Sequence, residues 1–511
     1  MFATLLVAPA EARPVYVVIN EDNRVDVIDS ATNQLTGTPF GTTPIPQRIA
    51  ITPDARYLYL VHTGTDAVTV IDTATGQQVG TPIGVGDAPS GIAITPDGRF
   101  AYVANNNGST VSVIDTQTRQ VVKTITGFSV PPDVAIAPDG KTAYVANASG
   151  NSVSVVDLTS NEIVGLPIPV GLVPEALVVA PDGRFVYVAN QNSNNVSVID
   201  TAARATVGTP IPVGTLPIAI TITPDGSTVY VSNYASSNVT PIDTAMKTAG
   251  PPIATGLEPY GLAPTPDGRS VYVAEEQAET VSVIDTAKNA RVATVPSVGH
   301  RPEAVVVAPD QPPTAAFAFG AARPGVPVSF DAAGSADPDG AIASYSWTFG
   351  DGASASGGPA QSHVYAKPGS YPVTLTLADE LGCSTQVSYG SHVAFCNGGP
   401  AAVQQRTVRV AYPRVRVTCP TRALKGGCRA KLTVVLRKPR KGKGKPRLRP
   451  ETAVARIRLQ PGKSSRLTIV PKPAFRVKLA SARRALVRQV LDFEAASGHK
   501  HLVTLVRKPI F

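Results

Sequence analysis

One repeat constrains this chain more than any other feature. The block Gly91–Thr116, GIAITPDGRFAYVANNNGSTVSVIDT, returns about every 42–43 residues. It holds three apolar runs, Ile92–Ile94, Phe100–Ala104 and Val111–Ile114, each closed by Pro, Asp, Asn or Gly. Short β-branched runs bounded by turn residues predict an antiparallel meander. A fixed period of this length predicts a propeller or a solenoid. The Pro-Asp pair recurs at Pro53, Pro96, Pro138, Pro181, Pro224, Pro266 and Pro309, and the second-run tyrosine at Tyr16, Tyr59, Tyr102, Tyr144, Tyr187, Tyr230 and Tyr272. A weaker fourth run, such as Val121–Ile125, completes a unit of strands A to D. Pro39, Pro82, Pro167 and Pro210 fall in that fourth run. Proline cannot donate to a ladder, so D is the outer edge and A lines the central channel. The repeats begin with a B strand (Val15–Ile19) and end with a lone A strand (Ala304–Val307). Pairing these two closes a ring of seven blades and removes the free edge.

Tyr-Val-Ala-Asn at Tyr102–Asn105, Tyr144–Asn147 and Tyr187–Asn190, followed by Val-Ser-Val-Ile-Asp, resembles the YVTN family of β-propeller repeats. That family occurs in bacterial and archaeal surface and secreted proteins. The likeness covers Pro14 to Asp310. Ile19, His62 and Glu275 replace the terminal Asn in three copies, and Pro241 is expected to interrupt the third run of the sixth.

The period stops near Pro312. Phe330-Asp331, Asp337-Pro338-Asp339-Gly340, Trp347-Thr348-Phe349-Gly350-Asp351-Gly352 and His363-Val364-Tyr365 resemble the PKD domain, an immunoglobulin-like β-sandwich of extracellular proteins. Trp347 and Phe349 alternate inward, and Val373, Leu375 and Leu377 share the period of two of a second core strand. The resemblance leaves calcium open at Asp337 and Asp339, against a plain turn role; no other cofactor is expected.

The predicted fold class is therefore all-β: a signal-peptide remnant (1–12), a seven-bladed β-propeller (13–311), a PKD-like sandwich (312–412) and a basic β-rich domain (413–511). In the last, a helical turn is expected near Ser481–Leu486. The tail carries 27 of the 46 Lys/Arg but only 3 of the 37 Asp/Glu, so everything before it is acidic although the chain totals +9. Its densest stretch includes Arg437, Lys438, Arg440, Lys441, Lys443 and Lys445, read as an anion-binding loop or a merely solvated one. No aromatic residue is interleaved there, so no specific nucleic-acid partner is expected.

Four cysteines at close spacing favour two local disulfides, Cys383–Cys396 and Cys419–Cys428, the latter stapling a first hairpin. Zinc is the competing use, but neither pair is Cys-x-x-Cys. The apolar stretch Phe2–Ala8 and the Ala10-Glu11-Ala12 site read as the end of a signal peptide, and no run reaches transmembrane length. Secretion and association with the cell surface follow as expectations.

Aspartates of the two bottom-face turns read as backbone caps rather than catalytic groups. Each D–A loop on the opposite face ends in a proline, and the residues after it differ from copy to copy: Gln47 and Arg48, Ser90, Asp133, Glu175, Tyr260 and Glu303. These form the candidate ligand-binding ring at the channel mouth, the bland alternative being solvated loop ends. Three carboxylates, an exposed Tyr260 ring and the acidic loop Glu275–Glu279 predict a cationic or polyhydroxyl ligand. No metal site and no acid–base pair is evident, so the expected function is a non-catalytic binding or scaffold protein. Its partners would be envelope glycans or surface proteins through the propeller, and anionic polymers through the tail. A propeller enzyme of lactonase or quinoprotein type and a structural surface-layer component are the alternatives.

Overall fold

In the computed structural model, residues 13–379, 402–410, 414–418, 428–436, 454–459, 464–468, 485–495 and 498–508 are described. Among them every regular element of four or more residues is a strand. The chain divides into two compact units, one holding the repeats to Thr314 together with Asp337–Ala343, the other most of the sandwich and the tail strands.

The first unit consists of seven antiparallel sheets. Blade 3 is representative: Pro89–Ile94, Phe100–Asn105, Thr110–Asp115 and Gln120–Thr126 pair in chain order from the channel outward. Blade 1 is built from both ends of the repeat array. Its inner strand is Pro302–Val307, which pairs antiparallel with Pro14–Ile19, the B strand, in the register Val15↔Val307 and Val17↔Val305. The ring is thus closed by strand addition.

B strands are buried on both faces because each blade is packed between two others. Along Pro14–Ile19, Val15, Val17 and Ile19 share a core with Ala263, Tyr272 and Val283 of blade 7, whereas Tyr16 and Val18 pack with Ile49, Ile51 and Leu60 of blade 2. Alternation of period two therefore feeds two hydrophobic seams, and no residue of the strand need be polar. The tyrosines also reach across to a neighbouring blade: the hydroxyls of Tyr102 and Tyr230 donate to Asn161 Oδ1 and Asn289 Oδ1 at 2.6 Å, and that of Tyr272 to Asn33 Oδ1 over the closing seam.

Outer strands follow the prolines. Blades 3 and 7, whose D segments have no proline, keep continuous D strands, Gln120–Thr126 and Ala290–Val295. Elsewhere D is two dipeptide pieces around a proline-bearing bend, such as Gln77–Gln78 and Ile83–Gly84. This split explains why Pro241 does not interrupt its strand, contrary to expectation: Asn238–Asp243 is continuous. The Pro241 carbonyl accepts from Gly250 N, so its absent N–H faces the gap between the two D pieces of blade 6.

In the second unit, Trp347, Phe349, Phe330 and Tyr365 are buried, with Phe330 5.8 Å from Trp347 and 5.2 Å from Phe349, centroid to centroid. Gly350 turns the chain at φ 77°, where an added Cβ would lie 2.5 Å from the Pro372 carbonyl, so only glycine fits. The tail differs from expectation in two places. Arg414–Thr418 pairs with Ser464–Thr468, while Cys428–Leu436 pairs with Val454–Leu459 and Ala485–Ala495, so the first two tail strands form no hairpin. Leu486 lies in the strand Ala485–Ala495 and not in a helical turn. Cys383, Cys396 and Cys419 lie outside the described residues, as do Arg437, Lys438, Arg440, Lys441, Lys443, Lys445 and the segment 1–12.

Candidate functional site

The bottom face is held by its own aspartates. Asp97 Oδ1 accepts from Thr95 Oγ1 and from Arg99 N, at 2.6 and 3.0 Å, closing the A–B turn. Asp157 Oδ1 accepts from Thr159 N at 2.7 Å to close a C–D turn. The same bonds recur at Asp225, Asp267, Asp200 and Asp285. These carboxylates are spent on backbone geometry.

On the opposite face the inner strands enter the channel through a recurrent irregularity. Register shifts separate Pro46 from Arg48, Pro89 from Gly91, Pro174 from Ala176, Pro217 from Ala219 and Pro259 from Leu262. The residue left over is Gln47, Ser90, Glu175 or Ile218, with Tyr260 and Gly261 both in the last shift; Glu303 is left over in blade 1. A bulge re-aims its extra side chain, and six of the seven blades carry one at this end of the inner strand, blade 4 being without it. The residue before each of these prolines is left-handed: Ile45, Ala88, Val130, Val173, Leu216, Glu258 and Arg301 all have φ of 49–60°. Non-glycine residues seldom adopt this conformation, least of all Ile and Val. Neighbouring loops hold it in place, as when Asn23 Oδ1 and Asn151 Oδ1 accept the N–H groups of Ile45 and Val173 at 2.8 and 2.9 Å.

The second residue after the proline is small in most blades because inner strands crowd together. A Cβ on Gly91 would lie 2.6 Å from Asp133 Cα. Arg48 is the large exception. Its guanidinium carbon sits 4.7 Å from the Tyr260 ring centroid, and burial, which disfavours its charge, is outweighed by Tyr260, Asp133, Glu175 and Glu303, so its pKa is raised. Burial raises the pKa of Glu175 despite Arg48. It pushes Glu303 up to about 7, again against Arg48, with Glu276 adding to the rise.

These contacts change the expected picture of the mouth. The chain supplies its own cation: Arg48 lies over the Tyr260 ring and feels the charge of Asp133, Glu175 and Glu303, and Tyr260 is half-buried rather than exposed. Ser90 Oγ donates to the Pro132 carbonyl at 2.8 Å, Gln47 Oε1 accepts from Thr63, and Asp133 Oδ2 accepts from Leu177 N at 3.1 Å. The acidic loop is also largely engaged. Glu275 is wholly buried in the position that Asn105, Asn147, Asn190 and Asn233 fill in other blades, accepting from Gly256 N at 2.6 Å and from Thr280 and Ser282. Glu276 pairs with Arg301, whose Nε lies 2.7 Å away.

Glu303 stands apart. It is 2 % exposed, its Oε1 lies 3.4 Å from Arg301, and its Oε2 is buried with no hydrogen-bond partner. It lines a cavity of about 390 Å³ between blades 1 and 2, together with Asn20, Glu21, Asn23, Ile45 and Arg301. Of this pocket, sequence reasoning found Gln47 and Glu303 only. Arg301 carried a usable signal, since the residue before the proline is charged in just two copies, Glu258 and Arg301.

Asp339 is one of the two residues at which the PKD resemblance leaves calcium open. Its Oδ2 is 2.6 Å from the Arg13 guanidinium and also accepts from Gln311 N, so a protein cation already faces it. Among the described residues no group of three or more His, Cys, Asp or Glu is arranged to hold a metal ion.

A family model described as lactonase, seven-bladed β-propeller, matches residues 18–208, and one described as PKD domain matches 310–393. A functionally unknown protein from Desulfotomaculum acetoxidans is similar in structure (TM-score 0.52, 17 % identity), as is a protein assigned as a 6-phosphogluconolactonase from Bacteroides uniformis (TM-score 0.50, 16 % identity). Each match covers 58 % of this chain and 99 % of the other. The hydrazine synthase of Kuenenia stuttgartiensis matches at 26 % identity over 56 % of this chain and 99 % of its own, with a TM-score of 0.48. The first two likenesses show the fold alone. The chain is a seven-bladed β-propeller protein with a PKD domain.

Proposed function

We propose that this protein is a secreted or surface-associated binding protein whose propeller captures a small polar ligand at the upper rim of blades 1 and 2. The observation that carries this reading is a cavity of about 390 Å³ whose lining gathers Asn20, Glu21, Asn23, Gln47 and Arg301 beside Glu303. A concave site into which a few polar and charged groups converge is the usual form of a small-ligand pocket. The PKD module acts as a spacer or adhesive domain, and the basic tail holds anionic envelope polymers by charge. Calorimetric titration against a library of small glycans, amines and peptides tests the propeller. A ligand bound by the wild type and lost in Glu303→Gln is expected; binding that survives this change and maps to the bottom-face turns refutes it.

Hydrolysis is the second reading, favoured by the lactonase-type match over 18–208 and by a carboxyl group whose pKa of about 7 suits a general base. Turnover of simple lactones by the wild type, abolished in Glu303→Gln, would establish it in place of the first.

A further inference from the structure

We infer that a linear phosphate polymer binds one face of the four-stranded sheet in the basic tail, and that this face, not the lysine-rich run 437–445, is the tail's anion site. This rests on the reading that the tail holds anionic polymers, and adds the surface and the chemistry of the anion. The sheet is ordered Val454–Leu459, Cys428–Leu436, Ala485–Ala495, Gly498–Lys508, each neighbour antiparallel. Successive strand residues alternate between faces, so the register places each one. Arg429 stands opposite Arg458, and Lys431 opposite Arg456, so these four share a face. Ala430, Leu432, Ala455, Ile457 and Leu459 share the other. On the third strand Arg488, opposite Thr433, extends the cationic face, and Asp492, opposite Arg429, is the one acid in register with the four. An antiparallel sheet commonly buries its apolar face alone, and Lys and Arg are almost never fully buried unless paired.

The second ground is the pairing itself. Like charges directly opposite on neighbouring strands destabilise a sheet. A third such pair, Arg416 opposite Arg466, occurs where Arg414–Thr418 meets Ser464–Thr468. Among the described propeller strands no two cations are paired: Arg24 stands opposite Ile19, Arg48 opposite Val61 and Arg291 opposite Ile284. The tail therefore carries a repulsion that a bound polyanion relieves. Four of the five cations on the face are arginine, whose planar fork matches the oxygens of a phosphate. They recur every second residue, about 6.6 Å along a strand and about 4.8 Å across to the next, a spacing suited to a chain charged at each short repeat. Phe493, the one aromatic residue of the four strands, falls on the apolar face, opposite Cys428. The cationic face thus offers no stacking platform for bases, which favours a phosphate polymer without them.

The test titrates the full chain with inorganic polyphosphate, and with polyglutamate and oligothymidylate as comparators, between about 50 and 200 mM salt. Polyphosphate is expected to bind most tightly, with an affinity that falls as salt rises. Arg429→Gln, Lys431→Gln, Arg456→Gln and Arg458→Gln together should lower the affinity about a hundredfold or more at the lowest salt and reduce the salt slope by about 3. Arg429→Lys, Arg456→Lys and Arg458→Lys together keep the charge but lose the fork, so the slope should hold while affinity drops severalfold. Lys441→Gln, Lys443→Gln and Lys445→Gln together should weaken binding far less than the four-residue change. Circular dichroism confirms that all three variants are folded. An unchanged affinity and slope in the four-residue variant, or an equal or greater loss in the 441–445 variant, overturns the inference while the tail keeps its polymer. Equal or tighter binding of polyglutamate or oligothymidylate overturns the choice of phosphate. Failure of every polymer to bind refutes both this inference and the reading beneath it.

Discussion

Ring closure can be tested by weakening the inner strand that blade 1 borrows from the end of the repeats. Val305, Val306 and Val307 are 3 %, 4 % and 0 % exposed. Val305 and Val307 belong to the core shared with blade 7, and Val306 to the core shared with blade 2. Changing all three to Ala removes two methyl groups from each. At about 0.8 kcal/mol per buried methylene equivalent the loss is roughly 5 kcal/mol, with cavity terms adding to it. That is a large share of the ~5–15 kcal/mol by which ordinary domains are stable. The single tryptophan, Trp347, lies in the sandwich, so its fluorescence follows that domain while calorimetry follows both transitions. The propeller transition should fall steeply with the Trp347 signal unmoved. A control with Leu177, Val178 and Val179 changed to Ala destabilises blade 5 but leaves the ring closed. Trypsin under native conditions should therefore cut at Arg24, just beyond the freed Pro14–Ile19 strand, in the first variant only; Arg13 is shielded from trypsin by the proline that follows it. A propeller transition lowered by less than about 1 kcal/mol, the cost of an ordinary surface change, would refute closure by this strand.

Three further outcomes follow from buried polar positions. Asn105→Ala removes bonds to Gly86 N, Thr110 and Ser112 and strands the buried Ser112 hydroxyl; chemical denaturation should show a loss of about 2–3 kcal/mol. His62 is fully buried, and burial lowers its pKa below 6.5, so the unfolded chain takes up a proton that the folded one resists. Stability should therefore fall as pH drops below 6.5, and His62→Asn, which restores the residue of other blades, should flatten that fall in pH-dependent melting. Glu303 behaves oppositely: its pKa, raised from 4.5 to about 7, makes the folded state lose stability as pH rises through that window. The full effect above pH 7 is roughly 3 kcal/mol, and melting of Glu303→Gln should lack this slope.

The repeat period, the turn residues and the alternating apolar runs determined most of this protein unaided. Strand order within a blade, the proline-marked outer edge and closure between Val15–Ile19 and Ala304–Val307 are local consequences of hydrogen bonding and hydrophobic alternation, and both are legible along a chain. The sandwich core around Trp347 and Phe349 was legible for the same reason. What the mouth does was not. Sequence placed Arg48, Asp133, Glu175, Tyr260 and Glu303 on one rim, but they come from five different blades and meet only when the ring closes. Only there does Arg48 turn over Tyr260 under the influence of three carboxylates, while Glu303 is buried beside the Arg301 guanidinium. Likewise, Glu275 looks like a loop charge in sequence and proves to be the buried counterpart of an asparagine. A residue's charge is written in its side chain, but whether that charge is free depends on partners contributed by distant strands.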